Sequence, residues 1–433
     1  MAAVSISIAF ATACLIGTQS RVPRVRLANG TELTLLAVTH GPTNVFIAGG
    51  AVGKLLYNFK ITKDIKLGPI KIRRVLPIID NWRKADGTAA FTNRAVVWLG
   101  HSGPTNAFPL PVPEEKWFSD IRATLADGNG EEWEMRVGTA IFHPQSSLAN
   151  PQGGRLPGIS HWAFTSFPRR GKNLRLRLYA LNDSHAWDTL LDFTIPNPAP
   201  GPYPVWISAK LPATQESGDL AISLMQLVTG SKTVPNYLKG GKRPFTKASF
   251  EVKEKGLPTG VWHPDRMDAT DATGNEPWFP MVTWGKTNGL AYYEVFAASL
   301  SPSEVWRLKM RFVKEHREEP EWRSPDLAVE TGKIVKTNFA TNFQGGRLTV
   351  ECLQNPFDNT VRCKLNPLPE NTKLRLVEFV DNQGRQVEYA SGGFEDSGID
   401  AQWKIPTNAE SVHFTVGLAE TRSFEFFARP GYE

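Results

Sequence analysis

Apolar and polar positions alternate along much of this chain with a period of two. Leu174-Arg175-Leu176-Arg177-Leu178 is the clearest run. That period places the leucines on one face of a strand and the arginines on the other. Arg307–Val313 and Val412–Gly417 repeat the pattern. Ala95-Val96-Val97-Trp98-Leu99 is continuously apolar and predicts a strand buried on both faces. Val25-Arg26-Leu27 and Leu33-Thr34-Leu35 flank Asn29-Gly30, a pair that favours the type I′ turn matching strand twist, so a hairpin is expected there. Helical patterns are scarce. The best are short, at Glu114–Arg122 and at Ser303–Trp306 behind a cap-like Ser301-Pro302. Between 51 and 84, isoleucines at 61, 65, 70, 72 and 78 suggest short extended pieces broken by Gly68-Pro69 and Pro77.

Three blocks share one order of features: a strand, a D-x-x-G turn, then an alternating strand further on. The turns are Asp127-Gly128-Asn129-Gly130, Asp271-Ala272-Thr273-Gly274 and Asp381-Asn382-Gln383-Gly384, and the later strands are Leu174–Ala180, Arg307–Val313 and Val412–Gly417. A spacing of roughly a hundred residues fits Ig-sized sandwiches, in which two sheets bury alternate side chains. Punctuation places the boundaries. Pro196 to Pro204 holds five prolines in nine residues, a stiff extended connector across which few contacts are expected. A charged, proline-bounded stretch from Glu315 to Pro325 reads as a second linker. The expected fold is all-β, with tandem Ig-like β-sandwich domains behind an N-terminal hydrophobic segment. Residues 1–20 are a signal or anchor segment, 21–90 a β-hairpin region, and 91–200, 201–322 and 323–433 three sandwiches.

Length and composition fit this division: 433 residues, with 41% hydrophobic and 21% charged, describe a globular chain of about three domains. The 49 basic residues exceed the 43 acidic ones by only 6. The basic residues interleave with apolar ones rather than clustering on one element, which argues against nucleic-acid binding. Val4 to Gly17 carries no charge; its length suits a signal-peptide core better than a bilayer span of ~20 residues. Ala11-Thr12-Ala13 supplies a cleavage-like site before Cys14. Export to a periplasmic or extracellular location is expected, with membrane association through residues 2–17 as a variant.

The opening Leu27-Ala28-Asn29-Gly30-Thr31-Glu32-Leu33, running on to Ala37-Val38-Thr39-His40-Gly41, resembles the start of uncharacterised bacterial envelope proteins. Those proteins have a short N-terminal hydrophobic segment followed by β-sandwich modules. Phe193-Thr194-Ile195-Pro196-Asn197-Pro198 and Asp271-Ala272-Thr273-Gly274-Asn275 are similar to signatures that recur there. None of these motifs is catalytic, so the resemblance implies location and architecture.

The chemistry-bearing residues give few leads. Gly100-His101-Ser102-Gly103-Pro104 approaches a nucleophile elbow but ends in proline and precedes no helical pattern, so a polar turn is expected. None of the eight histidines has another within four residues, so no local metal pair is expected. Asp265, Asp268, Asp271 and Glu276 form the densest acidic loop and are the candidate calcium ligands. Their spacing is not that of an EF-hand, and Asx turns are the competing reading. Gly230-Ser231-Lys232-Thr233 lacks the glycine of a phosphate loop. No cofactor is expected. Trp262, Trp278 and Trp284 lie among Pro, Gly, Asp and Asn, where exposed rings stack on sugars and buried ones plug a sandwich. Cys352 and Cys363 flank a predicted turn; in an oxidising compartment a cross-strand disulfide is expected, against two buried free thiols.

The functional expectation is a non-catalytic envelope protein, a scaffold or adhesion module holding domains in a rigid string. Its partners would be other envelope proteins or cell-surface glycans. A glycan-binding protein using the aromatic loops of the middle domain is the rival, and a hydrolase whose site assembles only in the fold is a third reading.

Overall fold

The computed structural model describes residues 24–26, 32–40, 47–48, 55–56, 65–67, 70–72, 94–102, 121–128, 130, 132–133, 137–142, 158–181, 187–233, 242–277, 279, 281–296, 299–314, 321–329, 335–354, 359–394, 396–405 and 408–433. The segment 1–20, with Cys14, and Trp278 lie outside the described residues. The chain is all-β: among the described residues there is no helix. Among the same residues no helix is long and apolar enough to cross a membrane.

The first sandwich uses β1 (Arg24–Arg26), β2 (Glu32–His40), β7 (Ala95–Ser102), β8 (Ile121–Ala126), β9 (Glu132–Trp133), β10 (Val137–Phe142), β11 (Gly158–Phe164), β12 (Asn173–Leu181) and β13 (Trp187–Pro196). Between β2 and β7, β3 (Ile47–Ala48) pairs with β4 (Leu55–Leu56), and β5 (Ile65–Leu67) with β6 (Ile70–Ile72). One sheet runs β1-β2-β7-β11-β10 and the other β13-β12-β8-β9. The alternation reads out directly: Leu174, Leu176 and Leu178 are buried, while Arg175 faces solvent. The hairpin β1–β2 is part of this sandwich rather than a separate region. β2 zips to β7 from Glu32↔Ser102 to His40↔Ala95, and Leu33 and Leu35 lie in the same core as Val97 and Leu125. An exposed hairpin could not bury those leucines alone. His101 and Ser102 are held in the β7 ladder, opposite Leu33 and Glu32, so Ser102 stands at the end of an extended strand; Gly103 and Pro104 lie outside the described residues.

The second sandwich contains β14 (Ala213–Ser217), β15 (Leu220–Thr233), β16 (Lys242–Glu254), β17 (Leu257–Pro258), β18 (Trp262–Asp271), β19 (Met281–Thr287), β20 (Leu290–Phe296) and β21 (Trp306–Lys314). The third contains β22 (Glu321–Arg323), β23 (Leu327–Ala328), β24 (Val335–Phe343), β25 (Gly346–Gln354), β26 (Asn359–Asn366), β27 (Thr372–Asp381), β28 (Glu388–Phe394) and β29 (Gly398–Lys404). The chain then closes both with β30 (Ser411–Ala428) and β31 (Gly431–Tyr432). One sheet of the second sandwich is β14-β15-β16-β20-β19, and one sheet of the third is β24-β25-β26-β29-β28. Their opposing sheets share β30. Its first half pairs with β27 on one side and with β22 and β23 on the other. Its second half, Thr421–Ala428, pairs with β21 from Val313 to Trp306. β31 then lies parallel to β15, with the Glu433 N–H on the Thr229 carbonyl at 2.9 Å.

A division at 322/323 therefore does not separate the last two sandwiches. Residues 421–433 belong to the second, and the third is inserted into it. The reason is burial: Phe424, Phe426 and Ala428 complete the core of Phe250, Trp306 and Phe312, which the segment before 322 cannot close by itself. Two further expectations are corrected. Ser303–Trp306 is a serine turn leading into β21, with the Ser303 N–H and the Ser301 Oγ at 3.1 Å. Ile121 and Arg122 open β8, and the rest of Glu114–Arg122 lies outside the described residues.

In each of the three blocks, the strand before the D-x-x-G turn pairs with the later alternating strand: β8 with β12, β18 with β21, β27 with β30. The turns share one geometry. The glycine N–H reaches the aspartate carbonyl at 3.1, 3.0 and 3.0 Å, and Gly130, Gly274 and Gly384 have φ of 84°, 83° and 74°. That left-handed conformation is why glycine holds the fourth position.

Candidate functional site: the joints between sandwiches

The acidic loop and the proline connector meet at the first joint. Asp271 ends β18 and is buried. Its Oδ1 accepts the N–H groups of Thr273 (2.8 Å) and Asn275 (2.9 Å) and the Thr273 hydroxyl (2.7 Å). This is an Asx turn that engages both carboxylate oxygens within the loop. Its product is a fixed Asn275, whose Nδ2 donates to Asp271 Oδ2 at 2.7 Å. The same amide grips the first sandwich: the Phe167 N–H donates to Asn275 Oδ1 at 3.1 Å, and Asn275 Nδ2 donates to the Phe167 carbonyl at 3.0 Å. Beside it, Arg169 donates to the Thr273 carbonyl at 3.0 Å and lies over the Phe167 ring. Arg170 forms a fork on Glu304 at 2.6 and 2.9 Å and reaches the carbonyls of Tyr203 and Pro204. Trp133 of the first sandwich packs on Trp306 of the second, centroids 6.2 Å apart.

The connector is itself clamped. Asn197 donates to the carbonyls of Pro168 and Gly171, and the Tyr203 hydroxyl donates to the Ala199 carbonyl at 2.9 Å. Many contacts thus cross Pro196–Pro204, against the expectation of few. Proline removed backbone donors, and the flanking side chains of Asn197, Arg170 and Tyr203 supply the hydrogen bonds instead.

The second joint is built on Asp265. At the β18 bulge between Pro264 and Arg266, its carboxylate accepts Lys373 Nζ at 2.5 Å and Arg311 Nε at 2.8 Å. Arg311 also donates to Asp396. Lys373 and Asp396 belong to the third sandwich, so two acids and two bases alternate across the boundary. Burial alone would raise the Asp265 pKa; Lys373 and Arg311 together outweigh it and hold the carboxyl below its ordinary value. The Thr421 N–H on the Asn371 carbonyl at 2.7 Å closes the backbone at the same level.

The four candidate calcium ligands do not converge. Asp265 is neutralised by Lys373 and Arg311, Asp268 is exposed beside Arg266 at 3.0 Å, Asp271 serves the turn, and Glu276 is exposed. Among the described residues no group of three or more His, Cys, Asp or Glu can hold a metal ion. Of the tryptophans, Trp262 is fully buried, its ring near Lys314 and Arg422 at 5.5 and 5.7 Å, and its Nε1 donates to Glu254. It is a core plug at the foot of the second sandwich. Trp284 is 48% exposed and stacks on His263 with centroids 4.3 Å apart.

Cys352 and Cys363 are two buried free thiols, not a disulfide. They do lie on paired strands, but Cys352 faces Val361 and Cys363 faces Val350. That diagonal offset sets Cα atoms roughly 7–8 Å apart, beyond ordinary disulfide reach. Burial pushes the Cys352 thiol up to about 12 and raises Cys363 further.

Arg170, Glu304, Arg311, Lys373 and Asp396 escaped the sequence reading. Each pairs with a residue that is distant in sequence. The one local signal was Phe167-Pro168-Arg169-Arg170, an arginine pair beside a proline in a loop.

No family model matches the chain, and no curated protein sequence matches it. Among solved structures, one of three titin Ig domains, an E-to-A mutated variant, is similar at 10% identity over 79% of this chain and 93% of that one. Its TM-score is 0.12, and at that value the likeness carries no structural argument.

Proposed function

We propose that this chain is a non-catalytic scaffold or adhesion protein of the cell envelope that holds three sandwiches at fixed orientation. The observation that carries the reading is the construction of the joints. Independent beads on a string need only a linker. Here the first joint spends a buried amide, a guanidinium fork and a tryptophan pair, and the second spends a four-charge alternation plus a strand common to both bodies. Such networks fix one geometry because each alternative leaves a buried polar group unsatisfied. The envelope location is supported by the uncharged run Val4 to Gly17 and the Ala11-Thr12-Ala13 site behind it.

Small-angle scattering of the full chain tests the reading. A stiff protein gives one elongated distance distribution, unchanged by moderate salt. Arg170→Ala with Asn275→Ala should broaden it while leaving the far-UV circular dichroism intact. A native protein already as broad as the double variant would refute the scaffold.

The glycan-binding reading keeps one specific observation, the exposed Trp284 stacked on His263. Loss of carbohydrate binding in Trp284→Ala would favour it.

A further inference from the structure

The outward face of the sheet β24-β25-β26-β29-β28 carries an open trough of about 1140 Å³. Two rows of side chains cross it at right angles to the strands. In the first, Asn338, Glu351, Arg362 and Asp400 stand opposite one another in register, and Lys336 flanks Glu351 on the diagonal, so charge alternates along Lys336, Glu351, Arg362 and Asp400. Lys336 contacts Glu351 at 2.6 Å, Glu351 stands opposite Arg362 in register, and Arg362 Nε donates to Asp400 at 3.1 Å. In the second row, Ala340 faces Thr349, Thr349 faces Lys364, and Lys364 faces Gly398. Three of these four are small, which keeps the trough open, and the fourth is an exposed lysine with no ion pair among the described residues.

From this face we infer a ligand site for a hydroxyl-rich chain carrying spaced carboxylates, an acidic glycan. The first row decides against uniformly charged polymers. A polyanion meets Glu351 and Asp400, a polycation meets Lys336 and Arg362, and either pays for each like charge. A sugar hydroxyl both donates and accepts, so it matches alternating guanidinium, ammonium and carboxylate groups. Arg362 donates Nε to Asp400 and its side chain is 56% exposed, so its terminal N–H groups are accessible to a ligand. Four strands at ~4.8 Å spacing give a row about 14 Å long, enough for a short oligosaccharide. Lys364, flanked by Thr349 and Gly398, is the one charged residue of the second row and would take the carboxylate. Position in the molecule agrees. The third sandwich is inserted between β21 and the second half of β30, so its sheet face is presented without interrupting the strand path that closes the second sandwich. The inference rests on the adhesion reading only for expecting a surface ligand at all.

Titration calorimetry of the full chain tests it with three probes: a tetrasaccharide carrying a single uronic acid, the neutral tetrasaccharide of the same linkage, and a short DNA duplex. The expected result is sub-millimolar binding of the uronate, about tenfold weaker binding of the neutral oligomer, and none of DNA. Lys364→Gln should erase the tenfold preference and keep neutral binding. Thr349→Trp, at an exposed outward position, should fill the trough and abolish both with the melting temperature unchanged. No heat with either sugar at millimolar concentration overturns the inference. So does binding that survives Thr349→Trp, or that disappears in Trp284→Ala instead. The scattering experiment above reads joint stiffness alone, so failure of one reading is distinguishable from failure of the other.

Discussion

At Asn275 one side-chain amide answers both polar groups of the Phe167 peptide, in a place where neither reaches water. Removing it leaves a buried N–H and a buried C=O unpaired at the same time. Asn275→Ala should therefore cost about 2–4 kcal/mol in urea unfolding of the full chain. Asn275→Asp should cost more, because a carboxylate would face both Asp271 and the Phe167 carbonyl. Asp265 makes the second joint acid-sensitive. Its folded pKa lies below the unfolded value of about 3.9. The stability it contributes is then fully present above that unfolded value and lost as pH falls through the folded one. Melting temperature should fall steeply below about pH 4, and Asp265→Asn should flatten that slope. The same variant at neutral pH leaves Lys373 and Arg311 short of a charge partner and should cost about 3 kcal/mol. An unchanged acid limb in Asp265→Asn would remove this residue from the joint.

Among the elements, β30 governs what can fold alone. Its 18 residues serve two cores in succession. A fragment of residues 201–320 lacks Phe424 and Phe426, which uncovers Phe250 and Phe312 and leaves the β30 edge of β21 open; it should aggregate. Residues 201–433 keep both halves of β30 and should be soluble and unfold cooperatively, as circular dichroism during a urea titration would register. A soluble, folded 201–320 fragment would show that β30 is dispensable to the second sandwich. On β25 and β26 the register settles the cysteines. Mass spectrometry after native-state alkylation should find neither Cys352 nor Cys363 modified within minutes, since burial keeps both as neutral thiols. Both should react once urea is added. A linked peptide pair in unreduced protein would contradict the register.

Over the whole molecule, the two joints lie toward opposite ends of β18, at Asp271 and at Asp265. On the proposed scaffold reading the middle sandwich is a spacer gripped at each end, and stiffness would be a property of the assembly rather than of any one body. The proposed envelope location rests on a different part of the chain. Fractionation with N-terminal sequencing of the native protein should place it outside the cytoplasm, beginning after Ala13 or retained in the membrane fraction. A soluble cytoplasmic protein that starts at Met1 would end the envelope reading without touching the stiffness of the joints.

The sequence by itself determined everything that depends on neighbours a few residues away. Alternation in Leu174–Leu178 made β12 and chose its buried face, because period two leaves a strand no other amphipathic solution. The Asn29-Gly30 hairpin signal stands between β1 and β2, which pair. The D-x-x-G turns marked the internal repeat, since glycine at φ near 80° is a local demand. Tertiary structure decided the rest. Asp265 and Asp271 look alike in sequence, six residues apart in one acidic loop. One became an ion-pair hub and the other a turn cap, because Lys373 and Arg311 reach only the first. Trp262 and Trp284 sit in equally polar sequence, yet one fills a core and the other faces solvent. Cys352 and Cys363 had a plausible loop between them, and a two-residue stagger kept their thiols apart. The shared strand β30 has no local signature, because which core receives Phe424 and Phe426 depends on where β21 was left open more than a hundred residues earlier.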